Sequence, residues 1–133
     1  MNGPEFSPGF RISPRDSLVL IVGTLGTLAL SAQIPIGAFV VGFVVLHFFL
    51  FCNVFRIPRC PELIWAGSFV SLSASTIYTD VPGWIATFAT SLALSMFLIC
   101  RSLFQPDYHG VCWQRINPGL RGWWEEQVGR IRD

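Results

Sequence analysis

The chain has no lysine: all nine of its basic residues are arginine. That absence excludes Schiff-base chemistry and the lysine of phosphate-cradling loops. Charge of either sign is scarce. Asp, Glu and Arg together make up 13% of the 133 residues, against about a quarter in ordinary soluble domains. A formal net charge of +1 leaves no electrostatic footprint for nucleic acid. There is also no Gly-rich phosphate loop, no GxSxG, no HExxH and no pair of carboxylates inside an apolar run. No catalytic set and no cofactor are therefore expected.

What is present is apolar: 52% of residues are hydrophobic and the mean hydropathy is +0.54. Residues 17–55 contain no Asp, Glu, Lys or Arg, and their only strongly polar side chains are Gln33, His47 and Asn53. A membrane-crossing helix takes about 20 apolar residues, so this stretch is two spans long, with a turn at residues 33–37. Ser13, Pro14 and Asp16 form a helix start with capping-box spacing. The predicted spans are 14–32 and 36–56. Gly23, Thr27 and Ser31 lie four apart on one face of the first, and Ala38 and Gly42 do so on the second. Such spacing lets helix backbones approach closely. A competing expectation is a signal peptide, with Arg11 and Arg15 before the apolar run and a small-residue cleavage site at Ala29, Leu30 and Ser31. The length of the run and the return to apolar sequence straight after it argue against cleavage.

Two further spans are expected over 61–78 and 82–104. The third is the least apolar, with Ser68, Ser71, Ser73, Ser75 and Thr76; the fourth carries Thr87, Ser91 and Ser95 four apart. Residues 1–13 read as an irregular cytoplasmic arm and 105–133 as a cytoplasmic tail, irregular over 105–117. The tail should then form an amphipathic helix over about 118–132. Leu120, Trp123, Trp124, Gln127, Val128 and Ile131 share one face of that helix, with Arg121, Glu125 and Arg132 opposite. Arg121–Glu125 and Glu126–Arg130 have ion-pair spacing. The expected fold is an all-α integral membrane protein, four transmembrane helices in two hairpins plus a C-terminal amphipathic interfacial helix.

Four spans put both termini and the middle loop on one side. That side holds Arg11, Arg15, Arg56, Arg59, Arg101, Arg115, Arg121, Arg130 and Arg132, and the turns on the other side hold only Asp80. The positive-inside rule then predicts a cytoplasmic (inner) membrane protein with cytoplasmic termini. Cys52, Cys60, Cys100 and Cys112 would face a reducing compartment, so no disulfides are expected.

Intramembrane polar residues are functional candidates. His47, nearest the midplane, is the first of them; Ser71 and Ser91 are the others. A proton relay or a haem ligand is one expectation for His47, although haem usually takes a second axial ligand and the only other histidine is His109. The plainer alternative is a neutral imidazole bonded to a hydroxyl at Thr24, Thr27, Ser71 or Ser91. Cys60, His109 and Cys112 are candidate metal ligands, with no second paired motif to support them. No acidic residue lies in the interior of a span, which argues against proton antiport. Arg121, Trp123 and Trp124 are candidates for lipid or partner contact, and the remaining tryptophans read as interfacial anchors. The expected function is a non-enzymatic accessory or scaffold subunit of a membrane complex. Its partners would be membrane lipids and a protein, or a second copy packed through the small-residue faces. The alternatives are a small oligomeric transporter or channel with His47 in its pathway, and a membrane thiol or metal enzyme.

Overall fold

Pro14 opens the first helix because its ring fixes a helical φ and its missing N–H is not needed there. In the computed structural model, which describes residues 6–132, six α-helices follow in order. They are α1 (Pro14–Ser31), α2 (Pro35–Phe49), α3 (Arg59–Thr79), α4 (Trp84–Leu103), α5 (Trp113–Ile116) and α6 (Leu120–Arg132), with a π-helical turn at Leu50–Val54 directly after α2. There is no strand among the described residues. Residues 1–5 of the expected arm lie outside the described residues, as do the side chains of Ile131 and Arg132. The chain divides into two units, residues 1–56 with 109–113, and residues 57–108 with 114–133.

The first unit is built on the α1–α2 hairpin. The capping box forms: Ser13 N donates to the Asp16 carboxylate at 2.7 Å, and Asp16 N donates to Ser13 Oγ at 3.3 Å. The two helices pack through the small residues. A β-carbon at Gly23 would collide with the Val45 side chain, and one at Gly42 would rest 3.6 Å from Thr27 Cγ2. Thr27 Oγ1 donates to Gly23 O at 2.8 Å, so its hydroxyl is satisfied within α1 while its methyl faces Gly42. Ser31, expected on the same face, is exposed and bonds Leu28 O.

The second unit contains the α3–α4 hairpin. α3 ends at Asp80, whose φ of 57° reverses the chain, and Gly83 at φ 88° leads into α4. Ser75 Oγ closes the turn by donating to Val81 O at 2.6 Å. The buried line of α4 is Thr87, Ser91, Ser95, Leu98 and Ser102, mostly hydroxyl-bearing. Thr76 and Thr87 share a hydrogen bond of 2.9 Å across the two helices. Trp65, read from sequence as an interfacial anchor, is instead buried; its Nε1–H donates to Ser91 O at 3.1 Å and its ring stacks on Phe69. The segment expected to be irregular over 105–117 includes the short helix α5.

Two helical stretches among the described residues are long and apolar enough to cross a membrane. They are Pro35–Val54, with a mean hydropathy of 2.3, and Trp84–Leu103, with 1.5. α1 has Arg15 and Asp16 in its first turn, and α3 is diluted by its serines.

Candidate functional site

His47 lies on the buried face of α2. Phe43 and Phe51, one turn before and after it, are buried with it. The imidazole sits 4.2 Å from the Phe43 ring centroid and 5.9 Å, edge to face, from that of Phe51. Nδ1 lies 2.8 Å from Phe43 O. A carbonyl can only accept, so Nδ1 carries the hydrogen. The expected bond to a hydroxyl of Thr24, Thr27, Ser71 or Ser91 is therefore replaced at this nitrogen by one to the histidine's own helix. The reason is local: a carbonyl one turn earlier is within reach in every α-helix, whereas a hydroxyl on another helix must be brought there by packing.

The π turn builds a second cluster, which sequence reasoning missed. Its extra residue leaves Phe55 N bonded to Leu50 O at 2.9 Å. Such turns often mark functional sites. Asn53 is buried at 1% exposure. With its amide nitrogen facing the two nearby acceptors, it donates to Arg11 O and to the Asp16 carboxylate, the latter at 2.9 Å. Arg11 N donates to Asn53 O, and Val111 N to Val54 O at 2.8 Å. Gly9 N donates to His109 O at 2.8 Å, and the Arg56 guanidinium donates to Ser7 O at 2.7 Å. Residues 7–11 and 109–111 are thereby tied to the end of the hairpin. The signal available in the sequence was Asn53 itself, a strongly polar side chain closing an uncharged run.

Ser71 and Ser91 are brought together: both line an open groove of about 600 Å³ between α3 and α4. Leu63, Ile64, Leu72 and Leu94 line it too, and Gly67 leaves it open, since a β-carbon there would meet nothing within 4 Å. The serine hydroxyls are spent within their helices. Ser68 donates to Ile64 O, Ser71 to Gly67 O and Ser91 to Thr87 O, each at 2.8 Å. The groove therefore offers an apolar chain no unmet serine donor. A cavity of about 290 Å³ adjoins it where α3 begins and α4 ends. Its polar lining is Cys60, Arg101, Ser102, Gln105 and Asp107; Ile64 and Leu98 supply apolar wall.

Cys60, Cys100 and Cys112 are exposed, Cys52 is half-buried, and none is in a disulfide. Cys112 has a φ of 57°. Among the described residues no three His, Cys, Asp or Glu side chains gather as metal ligands; His109 and Cys112 belong to the first unit and Cys60 to the second. In α6, Leu120 is fully buried and Trp123 and Trp124 are half-buried, while Arg121 and Glu125 are exposed. Both ion pairs form, Arg121–Glu125 at 3.4 Å and Arg130–Glu126 at 2.6 Å.

No family model, no curated protein and no solved structure matches the chain.

Proposed function

We propose that the chain is a multi-pass protein of the cytoplasmic membrane, four spans in two hairpins with both termini cytoplasmic, that serves as a non-enzymatic accessory or scaffold subunit. One observation carries the membrane assignment. α1 buries no residue at all, and its Leu18, Ile21, Val22, Leu25 and Leu28 are 58–63% exposed on a continuous stripe. In water such a stripe is an aggregation liability; in lipid it is an ordinary surface. The same reading accommodates the two helices of lower hydropathy. Arg15 and Asp16 fall at the headgroup end of α1. Ser68 and Ser71 of α3 are hydrogen-bonded within the helix, which lowers the cost of placing them in hydrocarbon. The distribution of all nine arginines supports the orientation.

The scaffold role is supported by the scarcity of reactive groups and by the exposed apolar and small-residue helix faces. The alternative of an oligomeric channel with His47 in its path draws less support, because the imidazole is buried among phenylalanines and bonded to its own helix.

Two measurements test the proposal. Reporter fusions at the two termini and in the turn at residues 80–83 should report the termini on the cytoplasmic side and the turn on the other; a turn on the same side as the termini removes the four-span reading. Crosslinking in intact membranes, followed by gentle purification, should capture the chain with a partner or a second copy. A lone monomer under both conditions removes the scaffold role.

A further inference from the structure

The groove and the cavity of the second unit are two halves of one feature. Ile64 lines both, and on α4 Leu94 of the groove and Leu98 of the cavity are one turn apart. The feature runs from a polar mouth to an apolar trough. On α3 the trough extends from Leu63 to Leu72, about 14 Å at 1.5 Å per residue. One leaflet of hydrocarbon is about 15 Å deep. The mouth holds one guanidinium, Arg101, and one carboxylate, Asp107, beside the uncharged donors and acceptors of Ser102 and Gln105.

We propose that this feature binds one phospholipid with a phosphoethanolamine headgroup, the headgroup in the mouth and an acyl chain in the trough over Gly67. The inference rests on the membrane reading above and adds a ligand to it. Charge matching selects the headgroup. The planar fork of Arg101 suits a phosphate, to which guanidinium donates in pairs. A carboxylate retains several lone pairs whatever else it bonds, so Asp107 accepts from the ammonium. An anionic headgroup without an amine would place like charge beside Asp107. The trough selects a chain rather than a polar ligand, because its serine hydroxyls are already bonded within their helices. Gly67 supplies the depth, since any side chain there would project into the trough. The volumes of mouth and trough each fall near or within the range of about 300–1,000 Å³ of small-ligand sites.

The natural cysteines supply the test. The full chain is extracted from the membrane fraction in mild non-ionic detergent. Maleimide alkylation of Cys60, Cys100 and Cys112 is followed by mass spectrometry with added phosphatidylethanolamine or phosphatidylglycerol. Phosphatidylethanolamine should slow the reaction of Cys60 about tenfold, a loss of accessibility expected for a charge-paired headgroup beside it. Cys100 and Cys112 should keep their rates. Native mass spectrometry should show one retained ethanolamine phospholipid per chain. Arg101→Gln and Gly67→Leu should each reduce that retention, the first through the phosphate and the second by filling the trough. Gly67→Leu enters open space, so its helix content by circular dichroism should match the parent's. Equal protection of Cys60 by phosphatidylglycerol overturns the headgroup assignment. Equal slowing at all three cysteines, or retention unchanged in both variants, overturns the site. Loss of a co-purifying protein in Gly67→Leu with lipid retention unchanged assigns the trough to a partner helix and also overturns it. Failure of the membrane reading is seen separately, as chain recovered in the soluble fraction before any lipid is added.

Discussion

Asn53 shows how one side chain can hold a segment far from it in sequence. Its amide meets the Arg11 carbonyl and the Asp16 carboxylate, and Asp16 also accepts from Ser13 N. Asn53→Leu removes both bonds, one of them to a charged group, a cost of about 1–3 kcal/mol. The variant should lose thermal stability in detergent, and trypsin should cut faster after Arg11, which the parent holds against the hairpin; an unchanged cleavage rate would show that the amide does not secure the arm. Gly23 and Gly26 make a paired test of the close approach in the hairpin. Gly23→Leu drives a side chain into Val45 and should destabilise by about 1–3 kcal/mol. Gly26→Ala meets nothing within 4 Å and should be neutral or stabilising by up to about 1 kcal/mol through helix propensity. Equal melting temperatures for the two variants would remove Gly23 from the interface. The contact faces at Gly23, Thr27 and Gly42 were legible in the sequence because side-chain size and helical period are local properties. The bonds of Asn53 were not, since they depend on where the chain carries residues 11 and 16 in three dimensions.

At the scale of elements, helix existence and the first cap followed from local chemistry, the Ser13–Asp16 box with Pro14 at the first helical position. The π turn did not, because one added residue leaves the apolar pattern of residues 36–56 almost unchanged. Yet that residue sets the direction in which Asn53 points. Deleting Cys52 should return the turn to α register and rotate Asn53 by about 100° away from its partners. The expected result is the trypsin sensitivity of Asn53→Leu with helix content preserved; a protected arm would show that the turn has no such role. In the second hairpin, Trp65 was misread because tryptophan near a helix end suits a headgroup region as well as a core, and only packing distinguishes the two. The Thr76–Thr87 bond is suited to a double-mutant cycle with valines. A coupling of about 0.6 kcal/mol is expected, and a coupling near zero would mean the two hydroxyls are independent. Of the candidate site residues, Ser71 and Ser91 meet in one groove because both lie on the facing sides of a hairpin. His109 and Cys112 belong to one unit and Cys60 to the other, a division that no spacing in the sequence announces.

For the whole molecule, the apolar periodicity made the all-helical class legible. The interleaving of the two units was not, because it follows from a segment of five residues. A chain stopped after Tyr108 should still form the α1–α2 hairpin but lack the bonds of Gly9 to His109 and of Val111 to Val54. Amides at residues 6–11 should then exchange hydrogen markedly faster than in the parent, and unchanged protection would show that residues 109–113 are dispensable to the arm. The same interleaving imposes an order on biosynthesis. The hairpin that leaves the ribosome first waits while residues 57–108 are made, roughly 3–10 s at about 5–20 residues per second. Only then does the strip that fastens its arm emerge. The arm is thus made before the strip that completes its unit.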